Sequence, residues 1–178
     1  GMVGELFLNY PSKLVQKVYM ELSNLDRNNA QAAMIDLNLR KPNKELYLQK
    51  AKGYNFWEQA LKIGGIIGGA SDKKITKLGQ AGQKIGIGHI IANDTWDFGK
   101  DLEDLRSGKY TLPIIWAFEN TTDKDRETLE LLFGKKDLMD LEINILRKIM
   151  VQSGAIDFGK KEAKKFCDEG IEILNYFP

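Results

Sequence analysis

Residues 71–98 decide the fold, and they read SDKKITKLGQAGQKIGIGHIIANDTWDF. Apolar residues recur in this stretch at the spacing of one helix face: Ile75, Leu78, Ala81 and Ile85. Ser71 suits the start of a helix, because its hydroxyl can accept a hydrogen bond from an unpaired N–H group of the first turn. The spacing therefore predicts one long helix that begins after Ser71 and ends at Phe98.

The flanking sequence predicts shorter helices on both sides. Upstream, one is expected after Pro11, a second over 29–39, and a third from the cap Asn43 toward the glycines at 64–69. Downstream, residues 99–109 form a polar loop, and helices are expected over 112–119, 123–133 behind the cap Thr122, 137–152, and a last segment ending near 174. No strand pattern of useful length and no linker is present. We therefore predict one all-α domain over residues 2–178, an antiparallel helix bundle, with Gly1 as the remnant of a cleaved tag.

The composition excludes several classes of protein. The chain has 178 residues, and 26 Lys and Arg against 25 Asp and Glu give a net charge of +1, which provides no field for nucleic acid or anionic membranes. No uncharged stretch approaches the roughly 20 apolar residues of a membrane span. The single cysteine, Cys167, excludes an internal disulfide and a thiolate metal cluster. Without a secretory signal, the expected location is the cytoplasm.

Glycines are unusually frequent in two of the predicted helices: Gly64, Gly65, Gly68, Gly69, Gly82, Gly86 and Gly88. Each costs up to about 1 kcal/mol of helix stability relative to alanine. Several pairs are four residues apart and share a helix face, so we expect close backbone packing in the bundle there. A dinucleotide site is disfavoured, because the third glycine of the fingerprint and the preceding strand are missing.

The candidate chemistry lies at the end of the long helix. Asp94 and Asp97 are three residues apart, so their carboxylates point in the same direction. Such a pair suits Mg²⁺, which is held by one or two carboxylates together with phosphate and water. Lys100 and Lys109 each follow a glycine and suit phosphate oxygens. The alternative is that these are ordinary charged residues on a helix surface and loop.

The block 93–113 resembles the second aspartate-rich region of the trans-isoprenyl diphosphate synthase (polyprenyl synthetase) family. That region reads Gln-x-x-Asp-Asp-x-x-Asp, followed by Gly-Lys, Asp-Leu and Gly-Lys-x-Thr-Leu-Pro. Residues 47–52 and 63–70 resemble the family's Lys-Thr helix and small-residue run, and residues 153–174 resemble its final helix. The resemblance implies a bundle of the isoprenoid synthase type that lacks its N-terminal part, since the chain corresponds to a little over half of such an enzyme.

The resemblance also implies an activity: the Mg²⁺-dependent condensation of isopentenyl diphosphate with an allylic diphosphate. The implied metal ligands are Asp94, Asp97 and Asn93. The implied diphosphate-binding residues are Lys52, Lys100 and Lys109, and the implied catalytic residues are Asp94, Asp97 and Lys109. By the same resemblance, Asp104 falls on the Asp-Leu pair and either holds the loop or reaches a metal through water.

The chain departs from the family pattern at several positions. Asn93 stands where the first aspartate is expected, Ile90 replaces the glutamine, and Gly53 replaces the threonine after Lys52. The first Asp-Asp-x-x-Asp motif is absent from the sequence. We therefore expect little or no synthase activity from this chain alone, and a homodimer or a partner chain that supplies the missing helices.

Two other functions also agree with the sequence. The chain could be a non-catalytic helical subunit or a decayed homologue, because half of the expected metal ligands are absent. It could also be a peptide-pheromone prenyltransferase, because Asn-Asp followed closely by Thr-Leu-Pro resembles enzymes that attach an isoprenoid to a peptide tryptophan. His89 is expected to be packed or hydrogen-bonded, and Trp96 to be a core or interface residue or the wall of an isoprenoid cavity.

Overall fold

The structure is a computed structural model that describes residues 12–97 and 102–177, without the side chain of Asp97. Every regular element in this part of the chain is a helix, as the sequence predicts. In chain order the helices are α1 (Ser12–Asn38), α2 (Lys44–Gly53), α3 (Trp57–Ile67), α4 (Asp72–Asp97), α5 (Glu103–Arg106), α6 (Leu112–Asn120), α7 (Asp123–Leu132), α8 (Asp140–Gln152) and α9 (Ala155–Leu174). None of them is both long and apolar enough to cross a membrane.

The predicted boundaries are correct where a cap marks them. The Asn43 side chain accepts a hydrogen bond from the Leu46 N–H at 2.9 Å, and the Thr122 hydroxyl accepts one from the Asp125 N–H at 3.2 Å. The long helix α4 has almost its predicted extent. The two helices predicted after Pro11 are a single helix, α1, because residues 12–38 contain no glycine or proline and the helix is held along its length by α2 and α3.

The third predicted helix is divided into α2 and α3 by a turn at Asn55. This residue is only 2% exposed. Its amide group donates to the backbone oxygens of Gly82 and Gln83 at 3.2 and 2.8 Å, and its side-chain oxygen accepts from the Trp57 N–H at 2.9 Å. The turn is therefore bonded directly to α4, which fixes the direction in which α3 leaves α2.

The prediction of close packing at the glycines is correct for Gly82 and Gly86 and wrong for Gly64 and Gly69. A Cβ atom on Gly86 would overlap the Asn55 amide, and one on Gly82 would overlap the Trp57 backbone, so this pair does provide close packing. Gly64, in contrast, has no neighbouring atom within 4 Å of such a Cβ. Gly69 lies beyond the end of α3 with a φ angle of 71°, a left-handed conformation that glycine adopts without strain.

Two groups of buried side chains form the core. One lies among α5–α8 and includes Leu105, Ile114, Leu129 and Leu146. The other lies among α2, α4, α6 and α9 and includes Tyr47, Ile91, Leu112, Ile115 and Ala163. The most extensive helix contact joins α4 to α9. The core therefore holds the C-terminal end of α4 against α2 and α6.

The segment after α4 enters the core at Leu102. Its φ angle of 52° is left-handed, which costs a non-glycine residue about 1–2 kcal/mol. Burial of the leucine side chain, which is 1% exposed, offsets that strain. The short helix α5 follows within the segment predicted to be an irregular loop, and its buried Leu105 fixes the position of Asp104.

Candidate functional site

The candidate site is built around a hydrogen bond between α2 and the C-terminal end of α4. The Tyr47 hydroxyl donates to Oδ2 of Asp94 at 2.6 Å. Tyr47 is completely buried, whereas Asp94 is half-buried. A core residue is therefore hydrogen-bonded to the carboxylate of the predicted metal ligand Asp94.

The charge of Asp104 acts on the same hydroxyl group. The pKa of Tyr47 is held well above its ordinary value, first by burial of the hydroxyl and then by the carboxylates of Asp94 and Asp104. The tyrosine therefore stays protonated and remains a hydrogen-bond donor. Carboxylates on two separate helices, α4 and α5, thus act on one phenol: Asp94 through a hydrogen bond and Asp104 through its charge.

Lys109 joins this group through Asp104. Its ammonium lies 3.8 Å from Oδ1 of Asp104, and its backbone N–H donates to the Asp104 backbone oxygen at 2.8 Å. Half of the lysine side chain is exposed. An exposed pair of this kind contributes at most about 1 kcal/mol, so the ammonium can exchange a carboxylate oxygen for a phosphate oxygen at little cost.

The remaining predicted ligands at this end of α4 are only partly described. Asn93 is exposed on α4, next to Asp94. Asp97 is the last residue of α4, and its side chain lies outside the described residues, as does Lys100. The roles of Asp97 and Lys100 therefore stay predictions from the sequence.

Lys52 lies on a different face of α2 from Tyr47. Five residues separate the two, which corresponds to a rotation of about 140° around the helix. The lysine is exposed and lines a cavity of about 330 Å³ between α1 and α2. The side chains of Asn28, Gln31 and Gln49 also line this cavity. These amides suit the polar oxygens of a ligand, and the sequence analysis did not single them out.

Gly53 lets α1 and α2 approach each other beside this cavity. A Cβ atom at this position would lie 2.7 Å from Cβ of Ala32 and 2.8 Å from the Asn28 backbone oxygen. The threonine that the family resemblance calls for would therefore not fit without a movement of α1.

Replacement of Gly53 by threonine is expected to lower the free energy of unfolding by about 1–3 kcal/mol, because the added atoms overpack the contact between α1 and α2. Urea unfolding followed by circular dichroism measures this change. A Gly53→Thr variant as stable as the unmodified chain would show that the two helices separate without cost.

The buried Lys50 is a feature that sequence analysis missed. Its ammonium binds Oδ1 of Asp36 at 2.9 Å and lies 5.3 Å from the centre of the Tyr47 ring. The residue is 7% exposed. No local pattern distinguishes this lysine from its exposed neighbour Lys52, and only its spacing of three residues from Tyr47 indicates that the two share a helix face.

His89 and Trp96 lie on the outer side of α4. His89 is exposed and meets the Trp57 ring edge-on, with 6.0 Å between ring centres. Trp96 is 72% exposed, so it is not a core residue of this chain. This exposure agrees with the prediction that Trp96 lies in an interface or forms the wall of a cavity.

The oxygen donors of the site suit Mg²⁺. Among the residues that the structure describes, no three His, Cys, Asp or Glu side chains are grouped closely enough to hold a metal ion by themselves. Mg²⁺ does not need such a cage, because one or two carboxylates, substrate phosphate and water complete its octahedron. Asp94 offers one such carboxylate, and Lys109 offers a half-exposed ammonium for the phosphate.

A model of the family named polyprenyl synthetase matches residues 10–150, which include α1–α7 and most of α8. The chain belongs to the polyprenyl synthetase family. The resemblance seen in the aspartate–lysine block is thereby confirmed for most of the chain.

Individual members of this family agree with the assignment. A geranylgeranyl diphosphate synthase of Methanosarcina mazei is 34% identical over 124 residues, which are 65% of this chain and 36% of that protein. The crystal structure of a geranylgeranyl pyrophosphate synthetase from Pyrococcus horikoshii superposes with a TM-score of 0.85 at 25% identity, over 96% of this chain and 55% of that one. The chain thus spans about half or less of these relatives.

A third relative was solved with ligands. The geranylgeranyl pyrophosphate synthase of Corynebacterium glutamicum, 17% identical, was crystallised with isoprenyl diphosphate and magnesium. It covers 94% of this chain with a TM-score of 0.85, and this chain covers 52% of it. At this identity the similarity shows a common helical fold.

Proposed function

We propose that the chain supplies the second metal- and diphosphate-binding surface of an Mg²⁺-dependent isoprenyl diphosphate synthase. The reaction is the condensation of isopentenyl diphosphate with an allylic diphosphate. The observation that carries the proposal is the hydrogen bond from the buried hydroxyl of Tyr47 to Asp94, together with the pair of Asp104 and Lys109, since Asp104 acts electrostatically on the same hydroxyl. Magnesium and isoprenyl diphosphate in the C. glutamicum relative support it.

The chain's own residues would act on the diphosphate group. Asp94, Asp97 and Asn93 would hold the Mg²⁺ ion, and Asp104 would reach it through water. When bound, Mg²⁺ offsets the negative charge that develops on the departing diphosphate. Lys109 would donate hydrogen bonds to phosphate oxygens and stabilise the same charge, and Lys100 is proposed for the same task. Lys52 lies on a different face of α2 and would instead bind a diphosphate from the cavity between α1 and α2.

A second copy or a partner polypeptide is part of the proposal. The chain spans 55% of the P. horikoshii structure, and α1 exposes large apolar side chains along its length: Tyr19, Met20, Leu22, Met34 and Leu37. Exposed apolar side chains in the first and last parts of α1 indicate an interface surface. We propose that it is covered in a homodimer or by a chain that provides the remaining helices.

Calorimetric titration with geranyl diphosphate tests the proposed function. We expect binding in the presence of Mg²⁺ and its loss when EDTA is added, because the diphosphate would be held largely through the metal. Geraniol, which has the same hydrocarbon but no phosphate, is the matched control and should not bind measurably. Equal binding of geranyl diphosphate with and without Mg²⁺ would contradict the metal-dependent function.

A further inference from the structure

We propose that Tyr47 is a positioning residue that fixes the Asp94 carboxylate for metal binding. This inference rests on the proposed function, since it assigns Tyr47 a role in the same site. Tyr47 does not itself touch the metal or the substrate in this proposal. It acts through its hydrogen bond of 2.6 Å to Oδ2 of Asp94.

The tyrosine is held rigidly enough for such a role. Its side chain is fully buried and packs in the core between α2, α4, α6 and α9, together with Ile91 and Leu112. The Lys50 ammonium lies 5.3 Å from the centre of its ring and is bound to Asp36 on α1. The phenol hydroxyl therefore has little freedom to move away from Asp94.

A fixed carboxylate matters because Mg²⁺ requires nearly ideal octahedral geometry. Asp94 lies near the end of α4, where its carboxylate would otherwise rotate between several orientations. Residues that do not touch the metal orient its ligands in this way through hydrogen bonds. Loss of such a hydrogen bond lowers the metal affinity by about 10–100-fold. Tyrosine suits the position because it donates a hydrogen bond without adding a charge beside two carboxylates.

The Tyr47→Phe variant of the full chain tests the proposal. It keeps the ring and removes the hydroxyl group, and we expect Mn²⁺ to bind about 10–100-fold more weakly in the presence of pyrophosphate, as measured by electron paramagnetic resonance. Tyr54→Phe is the matched control, since Tyr54 lies at the end of the same helix and is 38% exposed. It should bind Mn²⁺ as the unmodified chain does. A thermal melt ensures that both variants are folded at the temperature of the titration.

A double-mutant cycle separates positioning from a general effect on stability. If Tyr47 acts through Asp94, then adding Tyr47→Phe to Asp94→Asn should lower the Mn²⁺ affinity no further than Asp94→Asn alone. Additive losses of Mn²⁺ affinity would overturn the positioning role. Normal Mn²⁺ binding by the Tyr47→Phe variant would also overturn it if Asp94→Asn weakens the binding. Failure of the unmodified chain to bind Mn²⁺ with pyrophosphate would instead overturn the proposed function, and the positioning role with it.

Discussion

Replacing Asp94 by asparagine is expected to weaken Mg²⁺-dependent binding of geranyl diphosphate by at least about 100-fold, since a metal ligand should matter no less than the outer residues that orient it. Asparagine has the same shape and can still accept a hydrogen bond from Tyr47, so the packing around α2 and α4 should be retained. The substitution removes the negative charge by which Asp94 attracts the cation. Calorimetric titration of both proteins with geranyl diphosphate at constant Mg²⁺ concentration measures the difference.

Asp72→Asn is the matched control for this prediction. Asp72 begins the same helix, about 33 Å from Asp94 at 1.5 Å per residue, and its side chain is 87% exposed. The substitution breaks the surface ion pair with Lys17 and should leave the affinity for geranyl diphosphate unchanged. If Asp94→Asn bound geranyl diphosphate as tightly as Asp72→Asn does, the role of Asp94 as a metal ligand would be wrong.

Replacing Gly86 by alanine is expected to lower the free energy of unfolding by about 3–5 kcal/mol, at or beyond the upper end of the usual cost of overpacking. The added Cβ would occupy the position of the Asn55 amide. Displacement of Asn55 would break its hydrogen bonds to Gly82 and Gln83 and leave buried polar groups without partners, each at a cost of about 1–3 kcal/mol. Urea unfolding of the purified variant measures the change.

Gly64→Ala provides the comparison for Gly86→Ala. Gly64 lies inside α3, is exposed, and has no atom within 4 Å of an added Cβ. Its replacement should raise the free energy of unfolding by up to about 1 kcal/mol, the difference in helix propensity between alanine and glycine. Equal changes in the free energy of unfolding of the two variants would mean that the turn at Asn55 does not depend on the missing side chain at Gly86 in α4.

Local signals in the sequence predicted most of the helices. Asn43 and Thr122 were identified as caps, and both accept the expected hydrogen bonds. The apolar spacing after Ser71 predicted α4, which extends to Asp97; the predicted end at Phe98 lies outside the described residues. These features depend on residues within one or two helical turns, so their physical cause is contained in the local sequence.

Contacts between distant residues were not predictable in the same way. Tyr47 and Asp94 are 47 positions apart, and nothing near Tyr47 in the sequence indicates that its hydroxyl meets a carboxylate. The break at Asn55 likewise depends on backbone oxygens of α4, more than 25 residues away. The sequence therefore predicted Asp94 and Lys109 through a motif, whereas the contacts of Tyr47 and Lys50 required the packed structure.

A crystal of the chain grown with Mn²⁺ and pyrophosphate tests most directly whether these residues form one diphosphate site. The anomalous signal of Mn²⁺ locates the metal independently of the surrounding density. We expect a metal peak bonded to the Asp94 carboxylate, with pyrophosphate between it and the Lys109 ammonium and the Tyr47 hydrogen bond intact. Metal and pyrophosphate bound elsewhere, with Asp94 and Lys109 making no contact to either, would contradict the account.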